Sequence, residues 1–70
     1  MEEQLIKDFM NFGKRFVYED PVIENIQIAG EWVMFTERDS GGHYKDIHQI
    51  SLFEILAFAY WKIGTADKNT

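Results

Sequence analysis

Side chains able to do chemistry are scarce here, and the best placed of them fall within a few residues of one another. Tyr44, Asp46 and His48 alternate along an extended stretch, and side chains two apart on a strand share a face. A phenol, a carboxylate and an imidazole in a row are the groups of acid–base catalysis. Proton transfer also needs a pocket and a perturbed pKa, and an edge strand accounts for a polar row without either. His43 and His48 are five apart, so a regular strand sends them to opposite faces, away from one shared ion. Ser40-Gly41-Gly42 has the glycines of a phosphate loop but not the G-x-x-x-x-G-K-[ST] pattern, and it precedes a strand instead of a helix. With no cysteine and two histidines, a thiolate or structural zinc site has too few ligands. The expectation is a non-enzymatic chain with no metal and no cofactor.

These residues must be positioned by five elements. Residues 2–16 place Leu5, Phe9, Phe12 and Phe16 on one helical stripe, widened by Ile6 and Met10. Gly13 lies in that apolar sector, where a missing side chain admits a neighbouring element. Pro21 is expected to confine Asp20 to extended geometry and to end the helix-to-strand connection. From Val22 the period becomes two, with Val22, Glu24, Ile26 and Ile28 on one face and Ile23, Asn25 and Gln27 on the other. Ala29-Gly30 suits a tight turn. The next strand, Glu31–Thr36, is apolar on both faces, Trp32 and Met34 on one and Val33 and Phe35 on the other. A glycine-rich hairpin loop leads to a third strand at His43–Ile50. A helix from Ser51 follows, carrying the S-x-x-E capping box of Ser51 and Glu54 and a stop at Gly64. The order is α-β-β-β-α, an α+β fold in which an antiparallel three-stranded meander packs with two helices. Residues 1–64 read as one domain and 65–70 as a flexible tail.

Seventy residues bury only about 60% of their unfolded surface, and small folds are usually reinforced by a disulfide, a metal or association. Without the first two, association is expected. The net charge of −5 arises in residues 17–42, where Glu19, Asp20, Glu24, Glu31, Glu37 and Asp39 stand against Arg38 alone. Phosphate-backbone binding needs clustered lysine and arginine, so direct nucleic-acid binding is disfavoured. No apolar run reaches the ~20 residues of a membrane span, no secretory signal is evident, and a cysteine-free chain fits the cytoplasm.

The C-terminal helix is more apolar than one core face requires. At about 100° per residue, Leu52, Ile55, Leu56, Ala59, Tyr60 and Ile63 form the expected core side, with Phe53 near its margin. Glu54, Ala57, Phe58 and Trp61 lie opposite, aromatics flanked by charge, as at the centre and rim of an interface. They are expected to form a homodimer or partner contact. Trp32 and the six acids of the middle segment would supply a second surface, suited to a basic groove. In general character (short, cysteine-free, acidic, helix beside meander) the chain is similar to small phage-encoded proteins that inhibit larger host enzymes. That resemblance implies a dimeric inhibitor or regulator of a nucleic-acid-processing protein. The competing expectation is a small-ligand sensor, its aromatic pocket between sheet and helices with Tyr44 and His48 at the mouth.

Overall fold

The computed structural model describes residues 3–68. Their order is α1 (Glu3–Phe12), β1 (Val22–Ala29), β2 (Trp32–Arg38), β3 (Lys45–Ser51) and α2 (Leu52–Lys68). The strands form one antiparallel sheet in the order β1-β2-β3, the expected α+β arrangement.

Helix α1 stops at Phe12, four residues before the expected end at 16. Lys14 adopts a left-handed conformation at φ 53°. Its N–H donates to the Asn11 carbonyl at 3.1 Å, and the Arg15 N–H donates to the Met10 carbonyl at 2.9 Å. This pair of bonds is a Schellman closure with lysine where glycine is usual. Gly13 admits no neighbouring element. A Cβ there would lie 3.1 Å from Arg15 Nε, so the glycine makes room for Arg15 to fold back over the Phe9 ring, 5.0 Å from its centroid. Phe16 lies past the helix end, half-buried against the core. Asp20, expected to be extended ahead of Pro21, is instead left-handed at φ 47°.

In β1 the expected alternation breaks at one residue. Glu24 pairs with Thr36 and Gln27 with Met34, so Asn25 and Ile26 together oppose Phe35. Asn25 is left-handed at φ 55°, which makes this a bulge of the G1 type with asparagine in the glycine position. The extra residue changes the parity of the strand. Ile23 and Ile26 therefore join the same face, corrected from opposite ones, and meet the core together. A two-residue turn at Gly30 and Glu31 links Ala29 to its partner Trp32, with Gly30 at φ 60° as a II′-type hairpin requires.

Val33 and Phe35 of β2 meet Ile23, Ile50, Ile55 and the α1 residues Ile6, Phe9 and Met10 in one buried cluster. Burial of each large side chain stabilises the fold by roughly 1.5–3 kcal/mol. Both helices thus cover the face bearing Val33 and Phe35. The opposite face carries Val22, Trp32 and Ile47, all exposed.

Two expectations for the last helix are corrected. It does not stop at Gly64 but runs on to Lys68, because Gly64 keeps a helical backbone and supplies no positive φ. The expected tail, 65–70, continues the helix that far, and 69–70 lie outside the described residues. The helix is also rolled about its axis. Ile55 is buried, Leu52 and Phe58 are half-buried, and Leu56, Tyr60 and Ile63 are exposed. α1 lies along the Phe58 side, so Phe58 takes the inward place expected of Leu56 and Tyr60. At the start of α2 the Leu52 N–H donates to the Glu31 carbonyl at 2.7 Å, so a turn of the sheet satisfies one of the helix's open amides. Glu54, expected to reach back to Ser51, lies 3.7 Å from Arg15 instead.

Candidate functional site

The polar row divides when the strand is built. Tyr44 precedes β3 and is exposed. Its N–H donates to the Asp39 carboxylate at 2.7 Å, closing the hairpin loop. Asp46 and His48 stand opposite Glu37 and Phe35, on the helix-covered face. His48 stacks on Phe35 with ring centroids 5.1 Å apart, and its Nε2 lies 2.7 Å from Glu37 Oε1. Glu37 is fully buried. It accepts the Val17 N–H at 2.9 Å and the Tyr18 N–H at 2.7 Å, while the Tyr18 hydroxyl donates to Asp46 at 3.4 Å.

Burial pushes the Glu37 carboxyl up, but the Tyr18 amide, the His48 ring and the Val17 amide outweigh it and hold the carboxyl below its ordinary value. Burial, then the neighbouring Asp46 carboxylate, pushes the Tyr18 phenol up. Glu37, Asp46 and His48 line none of the described clefts. The cluster fastens the 17–18 segment to the sheet. This clamp was not anticipated, although Glu37 shares the parity of Val33 and Phe35 and so points inward with them.

The expected acidic surface is correspondingly reduced. Glu37 is not on it. Glu24 makes a bidentate pair with Arg38, at 3.0 Å for each bond, and that pair raises the Arg38 pKa. Asp39 serves its own loop, and the Tyr44 amide holds its carboxyl below the ordinary value. Glu19, Asp20 and Glu31 are exposed.

The aromatic patch assembles more fully. α1 and α2 lie side by side, and between them runs a groove of about 430 Å³ lined by Phe9, Phe12, Gly13, Arg15, Ala57, Phe58 and Trp61. The Phe58 ring meets Phe9 at 5.8 Å, edge to face, and Phe12 at 5.4 Å. Trp61 meets Phe12 at 5.2 Å. Each such pair adds roughly 0.5–1.5 kcal/mol beyond burial. Phe12 and Trp61 nonetheless keep more than half their surface in water. The Arg15–Glu54 pair closes one rim, and Lys62 pairs with Asp8, whose carboxyl it holds below the ordinary value together with Gln4.

The structure therefore brings Glu54, Ala57, Phe58 and Trp61 together and adds Phe12 and Arg15, which the sequence placed in α1 as core and surface. Trp32 stands apart, on the uncovered face of the sheet. The apolar pocket expected between sheet and helices lies between the helices, and Tyr44 and His48 do not line it. Among the described residues, no cluster of three or more histidine or carboxylate side chains is arranged to hold a metal ion, and no helix is long and apolar enough to cross a membrane. No family model, curated protein or solved structure matches the chain.

Proposed function

We propose that this chain is a non-enzymatic interaction module that binds and regulates a larger protein by docking through the α1–α2 groove. One observation carries the reading: Phe12 and Trp61 form an aromatic lip that the fold leaves mostly in water, beside a groove lined by Phe9 and Phe58. Exposed aromatics with an arginine beside them are the composition of binding hot spots. Arg15 at the rim favours a partner segment that presents an apolar side chain next to a carboxylate. The regulated target is a protein with a basic, nucleic-acid-binding groove, and the exposed acids Glu19, Asp20 and Glu31 steer the encounter. A small apolar ligand is the competing occupant, since the groove volume falls within the roughly 300–1,000 Å³ of ligand sites.

The test is site-specific photo-crosslinking from position 61 in the native host, with position 45 on the far edge of the sheet as control. One recurrent protein adduct at position 61, absent at 45 and lost on Phe12→Ala, supports docking. Equal labelling at both positions would reject it. Saturable binding of an apolar small molecule that blocks labelling would favour the ligand reading.

A further inference from the structure

A second surface lies on the other side of α2. Taking Phe53 as 0° and about 100° per residue, Leu56, Ala57, Tyr60, Ile63 and Gly64 fall within 60–80° of it. This outward sector contains no charged side chain among 53–64. Phe53, Leu56, Tyr60 and Ile63 are 64%, 50%, 83% and 64% exposed. Water normally sees the polar side of a surface helix, and here it sees the apolar side. The spacings 53–56–60–63 are three, four and three, the alternation that forms a helix-to-helix seam.

The seam is also symmetric. Positions 53 and 63 average to 58, and so do 56 and 60. An antiparallel second copy, related by a two-fold axis level with residue 58, sets Phe53 against the partner's Ile63 and Leu56 against the partner's Tyr60. Each large ring then meets a branched aliphatic chain, and every pairing occurs twice. A pattern with its own mirror register fits a copy of itself. With roughly 200 Å² for a large side chain, the four expose on the order of 500 Å². That is most of the ~800 Å² per partner in a standard interface, and more than a solitary small domain usually leaves bare. We infer that two copies of this chain associate through an antiparallel α2–α2 seam formed by Phe53, Leu56, Tyr60 and Ile63.

This seam lies on a different side of α2 from Phe58 and Trp61, through which self-association was expected and which meet Phe12 of α1. It rests on the reading that the chain works through surplus apolar surface. The chain contains no cysteine, so single introduced thiols report the geometry cleanly. Leu56 and the partner's Tyr60 stand level with each other across the seam. Mixed Leu56→Cys and Tyr60→Cys chains should give a disulfide-linked dimer on mild oxidation. Phe53→Cys alone should not, because its two copies stand about 15 Å apart along the seam, whereas mixed Phe53→Cys and Ile63→Cys chains should link. Sedimentation should show twice the 8.3 kDa chain mass, and Leu56→Glu should weaken the dimer by about 100-fold or more, each copy burying a new charge. Circular dichroism of Leu56→Glu checks that the fold is kept. A monomer at the highest soluble concentration, or cross-linking of Phe53→Cys alone equal to that of the mixed Leu56→Cys and Tyr60→Cys chains, would overturn the seam. Neither result touches the groove reading, which photo-crosslinking to a foreign protein decides.

Discussion

Replacing Glu37 by glutamine tests whether the buried carboxylate is the clamp that the geometry describes. The carboxylate receives the Val17 and Tyr18 amides and the His48 ring. Hydrogen bonds to a charged group are worth roughly 1.5–3 kcal/mol against 0.5–1.5 for neutral ones, so three bonds lose about 1 kcal/mol each. Relief of the buried charge returns part of that, leaving a net loss of about 2 kcal/mol for Glu37→Gln. Alanine, which orphans all three donors, should cost about 3–5 kcal/mol. For a 70-residue chain, whole-fold stability is on the order of 4–10 kcal/mol, so either loss is large. Urea unfolding followed by tryptophan fluorescence gives the values, and amide exchange at Val17 and Tyr18 localises them. The pH dependence is a second signature. A carboxyl whose folded pKa lies below its unfolded value stabilises fully above the unfolded value of about 4.3, and loses that contribution as pH falls through the folded one. The wild-type advantage over Glu37→Gln should thus be steady near pH 7 and shrink below about pH 4. A difference under about 0.5 kcal/mol at pH 7, or one unchanged on acidification, would refute the clamp.

Three further outcomes follow from backbone geometry. Lys14→Gly should stabilise by about 0.5–1 kcal/mol, since it relieves the left-handed strain of about 1–2 kcal/mol at the α1 closure and returns part as chain entropy; a lower urea midpoint would contradict the Schellman assignment. Gly64→Ala should stabilise by about 1 kcal/mol because the glycine is inside a helix, and an added Cβ meets no atom within 4 Å. Thermal melts decide this one by sign, as a helix-stop glycine would make alanine destabilising. Asn25→Val should cost about 1–2 kcal/mol or more, because a β-branched residue resists φ 55°; a neutral effect would count against the bulge.

Element order and type were legible because period and punctuation agreed: the α1 stripe, the glycine turns and the two-residue alternation each specify a local structure that the core then uses. What escaped depends on single backbone choices or on a neighbour. Asn25 tolerates the left-handed region, but nothing local demanded it there, so the parity change in β1 was invisible. Gly64 resembled a stop, yet no residue after it obliges α2 to end. The roll of α2 is set by where α1 lies, and its twelve mostly apolar residues up to Ile63 offered several nearly equal core faces. The patch at Ala57, Phe58 and Trp61 was visible as surplus aromatics. Its completion by Phe12 and Arg15 needed the early end of α1. Glu37 was counted with the surface acids by charge, although its parity already set it among Val33 and Phe35.

The bulge at Asn25 also bears on how the sheet could grow. β1 is one edge of the sheet and β3 the other. A bulged edge is twisted out of register with any incoming strand, whereas β3 pairs with β2 residue for residue over its whole length and leaves its outer side regular. A sheet with one receptive border can accept a strand once, and a second molecule adding there spends both receptive borders on the same junction. By strand addition alone, assembly would therefore stop at a pair. A fibre built by strand addition alone would need a receptive border on each side of every sheet, and the bulge at Asn25 interrupts one of them.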